Sequence, residues 1–145
     1  MKINSMKILI TTSILLLIIA CDNWDKQGVK MANEMPNYAT EYINKNNILH
    51  KDEKIICYYD VTLSFDASES AILTNKRVVY HKNKTNFSIE YGDIDKIKYL
   101  EDFSDVIVVM DKEGGSIKIE IAPLNGGRIF YDVLKSKYDD FKKNN

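Results

Sequence analysis

The reactive side chains of this 145-residue sequence fall into three groups: two cysteines, two histidines and a short run of bases. Cys21 follows Ile18-Ile19-Ala20 at the end of an apolar run that begins at Ile8, downstream of Lys2 and Lys7. A basic start, a short apolar segment and a small closing residue are the parts of a secretory signal. Lys76, Arg77, His81, Lys82 and Lys84 crowd one predicted hairpin. They form a candidate contact for phosphate groups or an acidic partner, although lysines at hairpin turns also discourage edge pairing with no ligand involved. Glu101, Asp102 and Asp105 flank Phe103 but lack the Asp-x-Asp-x-Asp-Gly spacing of a calcium loop, so no metal site is expected. Neither Gly-x-Ser-x-Gly, His-Glu-x-x-His, a phosphate-cradling glycine loop nor Cys-x-x-Cys occurs. His50 and His81 stand apart, and the expectation is a non-enzymatic chain with no catalytic residues and no cofactor.

With a cysteine directly after the small residue, the segment ending at Ala20-Cys21 resembles the lipobox of bacterial lipoproteins. That resemblance implies a signal peptide over residues 1–20, cleavage between Ala20 and Cys21, and lipid on the Cys21 sulfur. It places the mature chain in the bacterial envelope, membrane-anchored on the non-cytoplasmic side. The competing reading is an uncleaved transmembrane helix. Ile8 to Ala20 is 13 residues, which as a helix reaches roughly 20 Å against a hydrocarbon core of ~30 Å. Extending the segment forward meets Asp22 and Asp25, which are costly to insert. Two or three acyl chains on one residue pass the threshold for stable anchoring that a single chain does not reach.

Removing residues 1–20 takes away Lys2 and Lys7 and no acid, and so moves the formal charge from −1 to −3. Nothing in that balance favours nucleic acid. Only Cys57 then remains as a free thiol, so packing, not a disulfide, must hold the domain. Its place in Ile55-Ile56-Cys57-Tyr58-Tyr59 predicts a buried, inert sulfur.

The elements expected to carry these residues follow from periodicity. Residues 21–28 are polar and form a short lipidated tether carrying Trp24. In residues 29–50, Ala32, Met35, Ala39, Tyr42 and Ile43 recur at helical spacing, with a kink or fresh start near Pro36. Seven strands are then predicted: Ile55–Leu63, Ser70–Thr74, Arg77–His81, Asn86–Glu90, Ile94–Leu100, Val106–Asp111 and Ser116–Ile121. Compact turn sequences separate them. After Pro123, a helix from about Arg128 to Phe141 presents Phe130, Val133, Leu134, Tyr138 and Phe141 on one apolar face.

Ala71-Ile72-Leu73-Thr74-Asn75-Lys76-Arg77-Val78-Val79-Tyr80, followed by Tyr91-Gly92-Asp93-Ile94-Asp95-Lys96-Ile97, resembles the bacterial pleckstrin-homology-like (PH-like) domains and their GRAM-type relatives. The resemblance covers about Asp52 to Tyr138, within a domain assigned to residues 51–143. It implies a mainly β, α+β fold: a seven-stranded, partly open antiparallel barrel capped by the C-terminal helix and preceded by the N-terminal helix. Eukaryotic relatives bind phosphoinositides through a basic loop between the first two strands. Ser64 to Ser70, the corresponding loop, carries Asp66 and Glu69 and no base. The family's other use, docking of a protein or peptide, survives that departure. The expected function is a membrane-anchored docking module for an envelope protein or peptide, with headgroup or small-ligand binding at the basic hairpin as the alternative and a small envelope hydrolase behind both.

Overall fold

The computed structural model describes residues 27–144; the signal segment, Ala20, Cys21 and the tether up to Lys26 lie outside them. All seven predicted strands are present, within a residue or two except where the first ends early. They form two antiparallel sheets. The larger has the order β1 (Lys30–Met31), β2 (Ile55–Asp60), β3 (Glu69–Thr74), β4 (Arg77–Lys82) and β5 (Thr85–Glu90). The smaller contains β6 (Ile94–Glu101), β7 (Asp105–Asp111) and β8 (Ser116–Ile121). No ladder joins β5 to β6, so the strands make two sheets and not one closed barrel. Between them a 3-10 turn, Tyr91–Asp93, redirects the chain, and the buried Tyr91 hydroxyl fixes it by donating to the Thr74 carbonyl at 2.7 Å.

Turn chemistry explains the register. Asn83 and Lys84 join β4 to β5 at φ +51° and +63°, and two consecutive left-handed residues are what a two-residue hairpin loop needs to match strand twist. At the β7–β8 turn the Asp111 carboxylate accepts from the Glu113 and Gly115 amides, and Gly114 supplies φ +92°. The first predicted strand stops at Asp60 instead of Leu63. There the Asp60 carboxylate folds the chain back by accepting from Thr62 N–H, Thr62 Oγ1 and Ala67 N–H.

The N-terminal segment departs from the expected helix. Lys30 and Met31 pair with Tyr58 and Cys57 as an edge strand, Ala32–Glu34 form one 3-10 turn, and only Asn37–Lys45 is α-helical (α1). Pro36 is the cause. It biases the preceding residue away from helix, and Met35 is accordingly extended at ψ 125°; Pro36 itself caps α1 without offering an amide proton.

Strand alternation divides the core in two. Cys57, Tyr59, Ala71, Leu73 and Val78 point inward to meet Ile107, Val109, Ile117 and Ile119 of the smaller sheet. Helix α2 (Gly127–Asn144) lays Phe130 and Leu134 into that same interior. On the opposite face of the larger sheet, Tyr58, Ile72 and Val79 are covered by Ala39 and Ile43 of α1 and by Ile48. The larger sheet is therefore buried on both faces, and its central strands read as near-continuous apolar runs.

Candidate functional site

A groove of about 500 Å³ opens where one end of the larger sheet meets the corresponding end of the smaller. Tyr59 and Val61 come from β2 and the loop after it, Tyr80 and Lys82 from β4, Lys118 and Glu120 from β8, and Phe103 from the β6–β7 turn. Its lining combines aromatic rings, buried at Tyr59 and largely exposed at Phe103, with charged side chains. Glu69 accepts hydrogen bonds from Tyr80 Oη and Lys82 Nζ. Burial alone would raise the Glu69 carboxyl; the bonds from Tyr80 and Lys82, with the lysine's charge, bring it below its ordinary value. Burial and that same contact raise the Tyr80 phenol, which stays protonated. Across the groove Glu120 accepts from Ser104 Oγ and Lys118 Nζ at 3.1 and 3.3 Å, which lowers its carboxyl too. Two fixed carboxylates, two lysines and three aromatic rings make a surface suited to binding an extended polar chain. No histidine lines the groove.

The basic residues singled out from sequence are dispersed by the fold. Arg77 is buried on the outer face of the larger sheet, with Nε 2.7 Å from Glu53 Oε1 and a second nitrogen 2.9 Å from Oε2. Its remaining donors reach Ser88 Oγ at 2.9 Å and the Ile48 carbonyl. His81 is also buried, 1% exposed, between Asn86 Oδ1 at 2.7 Å and Tyr42 Oη at 3.3 Å. Lys82 is paired with Glu69 at the groove. Lys76 and Lys84 are exposed, but they bracket β4, and the six residues of that strand separate them by roughly 20 Å. The hairpin bases thus do not converge on a ligand. Asp105 accepts from Tyr99 Oη at 2.7 Å, and among the described residues no three Asp, Glu, His or Cys side chains are placed to hold a metal ion.

Sequence reasoning missed a polar layer beneath α1. Asp60, Ser70 and His81 are cross-strand neighbours in one row over β2, β3 and β4, all nearly inaccessible. Asp60 accepts from Tyr38 Oη at 3.0 Å and Tyr58 Oη at 3.2 Å. Burial first, and the Asp60 charge second, push both phenols up. Ser70 Oγ makes no hydrogen bond, even to the imidazole on the next strand. The row has the residue types of a triad without its serine–histidine contact, and α1 closes it off. Its role is to pin α1 to the sheet through Tyr38 and Tyr42.

Cys57 is the free thiol expected in the core. It is fully inaccessible, and burial pushes its pKa up to about 12. A maleimide at pH 8 is expected to leave Cys57 unmodified in the folded domain and to label it fully in denaturant; native labelling at the denatured rate would contradict this packing.

These features define a mainly β domain of two open antiparallel sheets with a helix docked in the interior. Comparison with known protein families, with curated proteins and with solved structures finds no match.

Proposed function

We propose that the chain is a membrane-anchored lipoprotein of the bacterial envelope, lipidated at Cys21, whose PH-like domain docks an envelope protein or peptide. The order of elements supports the PH-like reading: consecutive antiparallel strands in two sheets, then one helix buried against both. The groove carries the docking reading. It joins the aromatic surface of Tyr59 and Tyr80 to the paired charges Lys82–Glu69 and Lys118–Glu120. Headgroup binding by the basic hairpin is disfavoured, because Arg77 and Lys82 are committed to ion pairs.

A photo-cross-linking residue placed at position 118 in the native cell tests this. A discrete protein adduct is expected from position 118, with none from position 113 on the far β7–β8 turn. A Cys21→Ser variant should lose its acyl label and retain the signal segment unprocessed. Capture that is equal from both positions, or absent from both, would refute docking at the groove.

A further inference from the structure

The described chain enters the domain beside the turn that leads into α2. Gly28 turns at φ +79°, the Val29 amide donates to the Asn125 carbonyl at 2.8 Å, and Gly126 packs directly on the Val29 side chain. Cys21 is eight residues upstream of Val29. Such a stretch reaches about 28 Å fully extended and roughly 16 Å as a flexible chain. A domain of this size is roughly 35 Å across. Accepting the lipid on Cys21, on which this inference rests, the end of the domain around Asn125 is held next to the bilayer.

That end carries an unusual set of side chains. Of the seven large apolar residues exposed among the described residues, Leu63, Leu100, Phe103, Leu124 and Ile129 are there. Leu124 and Phe103 line one shallow depression with Pro123 and Arg128, and Leu63 tips the loop whose Val61 borders the adjoining groove. Leu63 is 97% exposed, Phe103 87% and Leu124 completely. Leu124 also sits at φ +65°, where glycine or asparagine fits at less cost. A leucine in that conformation with its side chain wholly in water does nothing for the fold. Around these tips Asp66, Glu101 and Asp102 outnumber Lys84 as charges without an ion pair. Attraction to anionic headgroups therefore does not bring this end to a membrane, whereas apolar transfer does.

We propose that this end of the domain rests on the lipid bilayer, with Leu63, Phe103 and Leu124 dipping into the interfacial layer. The groove then opens beside the membrane, and its partner is the membrane-proximal segment of an envelope protein. The far end, with the β7–β8 turn at Lys112–Gly115, points away.

Tryptophan quenching in the lipidated full chain tests the orientation. In a Trp24→Phe background, Phe103→Trp, Leu124→Trp and Glu113→Trp each place one probe at an exposed site. The proteins are reconstituted into phosphatidylcholine vesicles with or without brominated acyl chains. Probes at 103 and 124 are expected to lose about half their emission to the brominated lipid, the depth of an interfacial contact. The probe at 113 should keep its emission, and high salt should change neither result. Acylated protein with unquenched probes at 103 and 124, or equal quenching at 113, would overturn the orientation and leave the anchor standing. A processed chain without acyl mass would overturn the anchor itself, and this inference with it.

Discussion

Leu134→Asp is expected to leave the domain unfolded or close to it. Leu134 is completely buried, one turn after Phe130, in the interior shared by both sheets. Truncating such a leucine to alanine costs about 2–5 kcal/mol, and an unpaired carboxylate in its place adds several more. A domain of this size has about 5–15 kcal/mol to lose. The control is Ser136→Asp, on the exposed side of the same helix. It should cost only a few tenths of a kcal/mol, through repulsion from Asp132 and Asp140 at i−4 and i+4. Urea titrations in which the two variants lose equal stability would show that α2 is not docked.

That helix was legible because its signal is local. Phe130, Leu134 and Tyr138 repeat every four residues, and each has an inward partner: the first two in the core, the third donating to the Ile94 carbonyl. Strands β3 to β8 were legible for the same reason, since their turns lie within two to four residues of one another in sequence. Strand β1 was not. Its two residues are strand only because β2, more than twenty residues later, offers an unpaired edge, and no periodicity exists in two residues. The 3-10 turn and extended Met35 before Pro36 were foreshadowed only as a break near the proline.

The groove was illegible because its walls come from five segments whose proximity is set by how the two sheets meet. The basic cluster misled for a related reason. Arg77, Val79 and His81 share one face of β4, and Val79 alone shows that the face is buried. A usable clue lay in Ile55 to Tyr59, apolar at both parities, which requires cover on both faces of the sheet. From that it follows that Arg77 and His81 sit under something. What covers them, α1 and the Ile48–Glu53 linker, is a tertiary fact.

The strongest pH dependence of this fold should come from Glu53 and Arg77. The Glu53 side chain is inaccessible, although the residue keeps some exposed backbone. Burial alone would raise its carboxyl, but hydrogen bonds from Arg77 and from the His50 amide, with the guanidinium charge, hold it at about 2 against an ordinary 4.5. A carboxyl depressed on folding contributes stability that is complete above pH 4.5 and is lost as pH falls toward 2; the difference corresponds to about 3 kcal/mol. Arg77→Met removes the partner and leaves the carboxylate buried alone, which costs about 3–5 kcal/mol at neutral pH. With the guanidinium gone, burial outweighs the two donors that remain, the His50 amide and the Thr74 hydroxyl, so the Glu53 pKa should rise above its ordinary value and the contribution of this group reverses sign. Acid should then relieve the variant while it weakens the wild type. Glu53→Leu combined with Arg77→Met should recover most of the loss, because the cost of the single variant is the stranded charge and not the missing bond. Thermal melts from pH 7 to pH 2.5 measure all three proteins on one axis. Parallel acid profiles for wild type and Arg77→Met would show that this pair does not control the pH response. Convergence of the two curves as pH falls would assign it to the single ion pair that clamps the Ile48–Glu53 linker, and α1 with it, over the outer face of the larger sheet.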